Sequence, residues 1–341
     1  MADLRTEISE IVTGLAMLGF RDLPHVLAAQ PHVVINVGDE QFARLRMAYD
    51  AGQHRDLFDV AWRNGERFAR SDEGLRGRPP WRLEWKGAHK PPGYEQVPAD
   101  LRVDHVYLVS CKYGSSILHN VAPAHLFDRR LADRRRGGAP PDWYAEVAPD
   151  AYQELYAACR AAICDIAGGE IDLPAHVSEL QQAHREQLKR ALNRAWPPGV
   201  DSIYREFSHA VALESATRWR ANLTDALARE EMVWRLLRLQ AAPYYVLGAL
   251  GDGSALRYRV ATPWDFRVRF RMRTFDAWPD VAGQPLVRWR ADVHDRESDV
   301  PRTIDGHVEI RWSHGRFSGA PEAKVHLGTH PHAVAGYVEL G

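Results

Sequence analysis

Acidic residues and lysines occur together in one part of the sequence, between residues 84 and 112. Glu84 and Lys86 stand in LEWKG, while Asp104 and Lys112 stand near the two ends of RVDHVYLVSCKYGS. Carboxylates are the ligands that Mg²⁺ prefers, and a lysine close to an attacking water can stabilise the charge that develops at phosphorus. These residue types predict a metal-dependent hydrolytic site with Mg²⁺ or Mn²⁺ as its cofactor.

Lysine is rare in this chain, so the position of each lysine is informative. Only five of the 44 basic residues are lysines, and three of the five fall between residues 86 and 112. Lysine offers a compact charge with an adjustable pKa, which arginine does not. The clustering favours a specific role for Lys86 and Lys112, and chance clustering in a small sample is the alternative.

Asp104 and Lys112 cannot serve one metal ion as parts of a single strand, because eight residues of extended chain span about 26 Å. Each end of the strand needs partners from elsewhere. If the strand WRLEWKG pairs with it around the Pro/Gly-rich connection AHKPPGYEQVPADL, Glu84 and Lys86 come close to Asp104. We then expect Glu84 and Asp104 to bind the metal ion, and Lys86 or Lys112 to orient the water.

A structural interpretation of the same residues stays open. Asp104 and Lys86 could form a cross-strand ion pair, while Glu84 pairs with an arginine such as Arg82 or Arg102. The charged residues would then stabilise the hairpin and have no catalytic role.

A second catalytic arrangement uses the other end of the strand, where Ser110 and Lys112 stand. An acid that precedes the first strand, Asp72 or Glu66, could approach them there. This arrangement would leave Asp104 outside the site.

The N-terminal part of the chain has the periodicity of helices that alternate with short strands. Apolar residues at helical spacing predict a helix over residues 4–18, and PHVVINVGDEQFARLRMAYDAG reads as a strand, a cap and a helix. A helix in HRDLFDVAWRNGERFARS precedes the two strands described above, and APAHLFDRRLADRRR predicts another helix after them. This part is therefore a mixed α/β unit.

Residues 142–240 have a helical pattern, with breaks at GGEIDLPA and WPPGVD. This pattern predicts a helical section. Such a section could bind a second copy of the chain or a protein partner.

The last hundred residues alternate apolar and polar side chains, which is typical of half-buried antiparallel strands. In FRVRFRMR the four arginines would point to one side of a strand, and the strands LVRWR and VEIRW would add more. If these strands are neighbours, one sheet face is strongly cationic, and phosphate is the expected counter-anion. The predicted nucleic-acid contacts are Arg267, Arg269, Arg271, Arg273, Arg288, Arg290 and Arg311.

The overall charge gives no independent support for nucleic-acid binding. The formal net charge is −1, so any attraction to phosphate must come from local segregation of charge. In the alternative interpretation, the arginines lie on a solvated face and pair with Asp292, Glu297 and Glu309.

Two further patterns near the C-terminus resemble parts of a functional site. Glu322-Ala323-Lys324 repeats the acid-X-lysine spacing, but no helix follows it, and Lys324 is interpreted as a charge that protects an edge strand. His326, His330 and His332 resemble a metal-binding patch, yet they have no neighbouring cysteine. We do not predict a site at either pattern.

The order of the N-terminal elements resembles the restriction-endonuclease-like PD-(D/E)XK superfamily over roughly residues 55–135. The resemblance rests on a helix, a hairpin with a long loop, an acid, and a strand that ends in X-Lys before a helix. It implies that an Asp on one strand and a Glu-X-Lys on the next bind the metal ion and assist the water. SCK (110–112) stands where this order has Glu-X-Lys, and EWK (84–86) lies before Asp104 rather than after it.

Composition predicts a folded protein of two or three domains in the cytoplasm. The 341 residues are 45% apolar and 26% charged, and no apolar run approaches the length of about 18 residues that a membrane span needs. The N-terminus does not resemble a secretory signal. The cysteines Cys111, Cys159 and Cys164 are too few for a disulfide framework or a zinc knuckle.

Together these patterns predict an α+β fold. We expect an N-terminal α/β unit with a hairpin-containing sheet over 1–141, a helical section over 142–240 and an antiparallel β unit over 241–341. The predicted function is that of a metal-dependent nuclease that hydrolyses phosphodiester bonds, in DNA rather than RNA, with a restriction or defence role by analogy. The alternative is a non-catalytic nucleic-acid-binding or assembly subunit that uses the arginine-rich sheet.

Overall fold

The chain folds as two compact units, and each unit is assembled from separated segments of the sequence. The structure is a computed structural model, and the fold is α+β, as predicted. Unit 1 comprises Met1–Ser116, Arg238–Phe270 and His330–Gly341, and unit 2 comprises Ile117–Leu237 and Arg271–Thr329. The described residues are 3–87, 98–114, 117–129, 131, 142–167, 172–193, 195–281 and 283–341.

Helices dominate the first fifth of the chain and its middle, where the sequence has helical periodicity. The first helix changes type along its length, with a π-helical segment, Ile8–Val12, and a 3₁₀ segment, Ala16–Leu18, beside its α-helical parts. Further 3₁₀ turns are Val177–Glu179 and Pro331–Ala333. The α-helices are α1 Leu4–Glu7, α2 Thr13–Leu15, α3 Leu23–Ala29, α4 Asp39–Asp50, α5 Arg55–Arg70, α6 Pro123–Phe127, α7 Trp143–Val147, α8 Pro149–Ala167, α9 Gln182–Ala191, α10 Val200–Asn222, α11 Ala226–Leu236 and α12 Pro263–Arg269.

The strands form one sheet in each unit. In unit 1 the strand order is β1-β2-β3-β4-β6-β7-β12, and in unit 2 it is β5-β11-β10-β9-β8. The strands are β1 Val34–Ile35, β2 Leu83–Trp85, β3 Leu101–Val103, β4 Tyr107–Tyr113, β5 Ile117–Val121, β6 Tyr244–Ala249, β7 Ala255–Val260, β8 Phe270–Val281, β9 Pro285–Asp295, β10 Val300–Arg311, β11 Glu322–Leu327 and β12 Tyr337–Glu339.

The sheet of unit 1 is mixed, because β4 pairs in parallel with β6, a strand that is more than a hundred residues away in the sequence. One face packs against the first helix and α5 through buried side chains such as Ile11, Leu15, Phe58 and Phe68. This pairing explains why the units differ from the three consecutive domains that the sequence predicts. Hydrophobic periodicity identifies a strand but carries no information about its distant partner.

The antiparallel sheet of unit 2 packs with the helices of the middle section, which the sequence predicts correctly as helical. α10 packs on α8 and on β9, and the core contains large buried aromatic side chains that include Trp143, Phe207, Trp219, Trp289 and Phe317. β11 lies between β5 and β10, so it is an interior strand. The interpretation of Lys324 as an edge charge is therefore wrong.

The apolar part of the N-terminus is used for packing inside unit 1. In the described part of the chain, no single helix is both long and apolar enough to cross a membrane. The segments Leu4–Leu18 and Leu23–Ala29 pass that criterion only as a pair, bent by 89°. Ile8, Ile11 and Leu15 of the first segment are almost fully buried.

Candidate active site

A tight turn divides the second predicted strand of the hairpin into β3 and β4. The amide of Val106 donates to the carbonyl of Val103 across this turn (3.0 Å). Asp104 and His105 both have left-handed backbone conformations (φ 50° and 59°), as the central residues of a type I′ turn do, and Val106 completes the three-residue connection between the paired residues Val103 and Tyr107. The turn places Asp104 at one end of β3 and Asp100 at the other.

Asp104 is buried at the turn and is occupied by structural contacts. Its carboxylate accepts hydrogen bonds from the backbone amides of Trp81 (2.9 Å) and Arg82 (3.1 Å), and it forms an ion pair with Arg78. These contacts fasten the segment before β2 to the hairpin turn. The assignment of Asp104 as a metal ligand is therefore corrected to a structural role.

Glu84 is similarly occupied by two arginines. It pairs with Arg82 (2.8 Å) and with Arg102, which lies opposite it on β3. The hydrogen bond from Arg102 lowers the pKa of Glu84, and Arg82 adds to the effect, although partial burial opposes it. The structural interpretation of Glu84 therefore describes the fold, and Glu84 is no longer a candidate metal ligand.

The opposite end of β3 brings three strands together at Asp100. The amide of Lys86, at the end of β2, donates to the carbonyl of Asp100 (2.8 Å), and the amide of Asp100 donates to the carbonyl of Val109 on β4 (2.8 Å). The carboxylate of Asp100 accepts from the amide of Cys111 (2.7 Å) and from the hydroxyl of Ser110 (3.3 Å). Lys86 thus lies beside Asp100, and among the described ion pairs it is not a partner of Asp104.

Glu10 reaches the same place from the first helix. It belongs to the π-helical segment Ile8–Val12, and the indole N–H of Trp85 donates to its carboxylate (2.6 Å). Short π-helical segments are frequent at functional sites. The helix is held close to α5, since a Cβ on Gly65 would lie 2.0 Å from the carbonyl oxygen of Thr13.

The two carboxylates and two lysines influence one another electrostatically. Burial, with the neighbouring charge of Asp100, raises the pKa of Glu10 to about 7, while Trp85, Lys112 and Lys86 act in the opposite direction. Burial also raises the pKa of Asp100, and Lys112 and Lys86 again oppose the shift. A cation bound between the two acids would relieve their repulsion. The chemistry that this group supports is therefore cation binding beside positively charged side chains.

The backbone of Lys112 is fixed by close packing. Lys112 lies opposite Gly248 on β6, and a Cβ on Gly248 would come within 1.7 Å of the carbonyl oxygen of Lys112. The next residue, Tyr113, shares a hydrogen bond with Thr13 (2.7 Å) and accepts one from Asn64 (3.1 Å). These contacts tie the end of β4 to α5 and to the first helix, which carries Glu10.

The acids considered as alternative partners of Ser110 have other contacts. Glu66 pairs with Arg70 within α5 (3.5 Å), and Asp72 lies in the turn after α5, where its carbonyl accepts from Arg76 (2.8 Å). The acid that contacts Ser110 is Asp100.

The predicted arginine row does not form, because its first half is helical. Residues Pro263–Arg269 are α12, so Arg267 and Arg269 lie in unit 1. Arg271 and Arg273 are exposed on β8, in unit 2. The sequence does contain a signal for this helix, since Thr262 caps it, proline follows, and Asp265 completes a capping box.

The other three arginines of the predicted row form ion pairs within the sheet of unit 2. This matches the solvated-face alternative for Asp292 and Glu309. Mixed charges at these positions give a weaker cationic field than the sequence predicts. The pairs are Arg288–Asp280 (2.5 Å), Arg290–Asp292 (3.3 Å) and Arg311–Glu309 (3.5 Å).

A second group of potential metal ligands lies on β10 and β11. The ligand atoms of His307, Glu309 and His326 all lie within 4.8 Å of one another. The two imidazole rings are stacked, with planes 6° apart, so their in-plane nitrogen lone pairs do not point at a common atom. We assign no metal ion there. His330 and His332 belong to unit 1, so the patch suggested by the sequence is divided between the units.

The sequence contains little signal that Glu10 and Asp100 lie close together. Asp100 follows Pro98 and Ala99, so the sequence pattern places it in the connection between the strands. Glu10 is one of several polar residues in an amphipathic helix. A turn at Asp104 and His105 is what places Asp100 opposite Ser110.

No family model, curated protein or solved structure matches this chain.

Proposed function

We propose that this protein is a divalent-cation-dependent nuclease whose active centre comprises Glu10, Asp100, Lys86 and Lys112. The main support is the convergence of two acids and two lysines at one end of the β2–β3–β4 sheet. Burial is the main cause that raises the pKa of Glu10 and of Asp100, and the neighbouring charge of Asp100 adds to the shift at Glu10. A raised pKa beside a second acid is typical of a functional site.

The donor set fits Mg²⁺ or Mn²⁺. Mg²⁺ is usually held by one or two carboxylates, and water and substrate phosphates complete its coordination. Glu10 and Asp100 would hold the ion, which when bound supplies Lewis-acid polarisation of the phosphate and a water of lowered pKa. Trp85 fixes the carboxylate of Glu10, and the Cys111 amide fixes that of Asp100.

The two lysines would act on the substrate. Their ammonium groups attract a phosphodiester to the acidic centre, whose own charge would otherwise repel it. Lys112, on the strand that ends in the site, is the candidate for orienting the attacking water and stabilising charge at phosphorus. Lys86, at the end of β2, would contact a neighbouring phosphate.

The resemblance to the PD-(D/E)XK superfamily supports this proposal when the register of the structure is used. Asp100 directly precedes β3, and Ser110-Cys111-Lys112 lie near the end of β4, which is the order that the resemblance implies. Ser110 occupies the position of the middle carboxylate. Glu10, from the first helix, would supply the carboxylate that is missing there.

The proposed substrate is DNA rather than RNA, and the proposed location is the cytoplasm. The three cysteines are free, which fits a reducing compartment. The alternative function, a non-catalytic binding subunit, loses support because the arginines on which it depended are divided between two units or paired with acids.

The test is a cleavage assay on the full-length protein with plasmid DNA, linear DNA and RNA. We expect cleavage with Mg²⁺ or Mn²⁺, none with chelator, and a large loss in Glu10→Gln, Asp100→Asn and Lys112→Met. Glu84→Gln is the matched control, since it neutralises an acid of the same sheet that contacts only structural partners. Cleavage that persists in all three site variants would refute the proposed centre.

A further inference from the structure

Unit 2 contains a cavity that is lined by cations and aromatic rings. Its volume is about 500 Å³, within the range of small-molecule sites. The lining includes the basic residues Arg311, Arg316 and Lys324. Among the described residues that line it, none is acidic. The cavity is therefore suited to an anionic ligand.

Arg316 is a partly buried cation supported by aromatic rings. Its guanidinium lies 4.0 Å from the centre of the Trp196 ring, and Trp196 packs on Tyr204 with centroids 4.5 Å apart. The guanidinium donates to the carbonyl of Leu192. Within the described part of the chain, no carboxylate lies within ion-pair distance of Arg316. Asp201 acts on it only at longer range, so an anionic ligand could still approach the guanidinium.

Lys324 is the more unusual of the cations, because it is buried on an interior strand. Its side chain is 10% exposed, and its nearest ion-pair partner, Glu322, is 3.8 Å away. Charge-assisted hydrogen bonds are shorter, about 2.7–2.9 Å. The carboxylate of Glu322 already accepts from the hydroxyl of Ser313. A buried ammonium with so distant a partner is costly unless an anion approaches it.

We propose that this cavity binds a nucleoside 5′-phosphate, as a free mononucleotide or as the terminus of a nucleic-acid strand. The phosphate contacts Lys324 and Arg316, and Arg311, which also pairs with Glu309, adds to the positive charge of the lining. The base packs on the aromatic lining, since every base has a π-face. A planar ring with one phosphate matches this combination of cations and indole or phenol rings. All the lining residues belong to unit 2, so the proposal does not rest on the nuclease centre of unit 1.

The test is titration calorimetry of the full-length protein with chelator present, so that cleavage cannot interfere. The probes are adenosine 5′-monophosphate, adenosine, inorganic phosphate, and a short single strand with a 5′-phosphate or a 5′-hydroxyl. We expect saturable binding of the mononucleotide or the 5′-phosphorylated strand, at least about tenfold tighter than the probe without the phosphate. The tighter of these two phosphorylated probes identifies the source of the ligand.

Variants assign the binding to the cavity. Lys324→Met and Arg316→Gln should each weaken binding about tenfold, and Arg220→Gln, which removes an exposed arginine of unit 2 outside the cavity, should leave it unchanged. Circular dichroism and thermal unfolding check the fold. If Arg316→Gln does not fold, Arg311→Gln replaces it. Absence of saturable binding, equal affinity for adenosine and its monophosphate, or wild-type affinity in the folded cavity variants would overturn the proposal.

Discussion

Each end of β3 is flanked by an aspartate, but the two aspartates differ in their partners and in the role that we assign to them. Asp104 accepts from two backbone amides and pairs with Arg78, while Asp100, four residues earlier, interacts electrostatically with Glu10 and two lysines. Arginine forms fixed, multidentate pairs with carboxylates, and such pairs leave little coordination capacity for a metal ion. The comparison teaches that the partner of an acid, rather than its place in a motif, separates a structural carboxylate from a candidate catalytic one.

The largest expected difference between the two ends is in activity. Asp100→Asn should lower divalent-dependent cleavage at least about 100-fold, because it removes one of the two carboxylates that hold the ion. Asp104→Asn should change the rate per folded molecule by less than about threefold. Single-turnover rates on the same DNA measure both, with the folded fraction determined for each variant. Equal losses of cleavage activity in the two variants would contradict the difference in role between Asp100 and Asp104.

Stability should respond in the reverse order. Asp104→Asn should lower the free energy of unfolding by about 1–3 kcal/mol, because Oδ1 accepts from both backbone amides and Oδ2 from Arg78, and the single oxygen of asparagine can replace only one of them. Asp100→Asn should be neutral or stabilising in the absence of metal, since it removes the repulsion between two acids. Urea unfolding in chelator gives both values. A stable Asp104→Asn protein would show that the turn does not depend on this pair.

The pH dependence of stability should identify the acidic pair. The pKa of Glu10 is raised in the folded state to about 7, so its contribution is fully present below its ordinary value of 4.5 and is lost as pH rises through 7. We expect Glu10→Gln to gain stability relative to wild type between pH 5 and 8, by about 1–3 kcal/mol. The carboxyl group of Glu10 is faced by Asp100, Lys112, Lys86 and Trp85. Because salt screens the charges of the acid and the lysines, the ionic strength is held constant across the pH range. A pH-independent difference would contradict the raised pKa.

Metal binding should produce a smaller shift. Mg²⁺ at about ten times its Kd stabilises the folded state by about 1.4 kcal/mol, which raises Tm by about 2–4 °C. The shift should be absent in Asp100→Asn and present in Glu84→Gln. Differential scanning fluorimetry with Mg²⁺, and with Na⁺ at matched ionic strength, separates binding from screening.

The smallest effect is expected for the arginines of the predicted row. Arg288 and Arg290 already have carboxylate partners, so Arg288→Gln or Arg290→Gln should change DNA affinity by less than about twofold. The slope of log K against log salt should be shallower than the −4.5 or so expected for five phosphate contacts. A slope that steep, and reduced by about one in each variant, would restore the cationic row as a binding surface.

Local patterns account for most of the elements and for half of the candidate site. The first helix, α4, α5 and the helices of the middle section follow from their periodicity, and the scarcity of lysine directed attention to Lys86 and Lys112. The alternation in FRVRFRMR failed because a capped helix and a strand meet inside it. The sequence carries little signal for the turn at Asp104 and His105, because it contains no glycine or asparagine.

The sequence by itself determined the fold class, the helical and strand periodicities and the clustering of the rare lysines, since these depend on composition and on neighbours along the chain. Only the tertiary structure decided that Glu10 and Asp100 meet, that Glu84 and Asp104 are held by arginines, and that Lys324 is buried inside a sheet. The reason is physical: strand register and the pairing of distant segments arise from contacts between residues far apart in the chain, and the charge state of an acid depends on what those contacts place beside it.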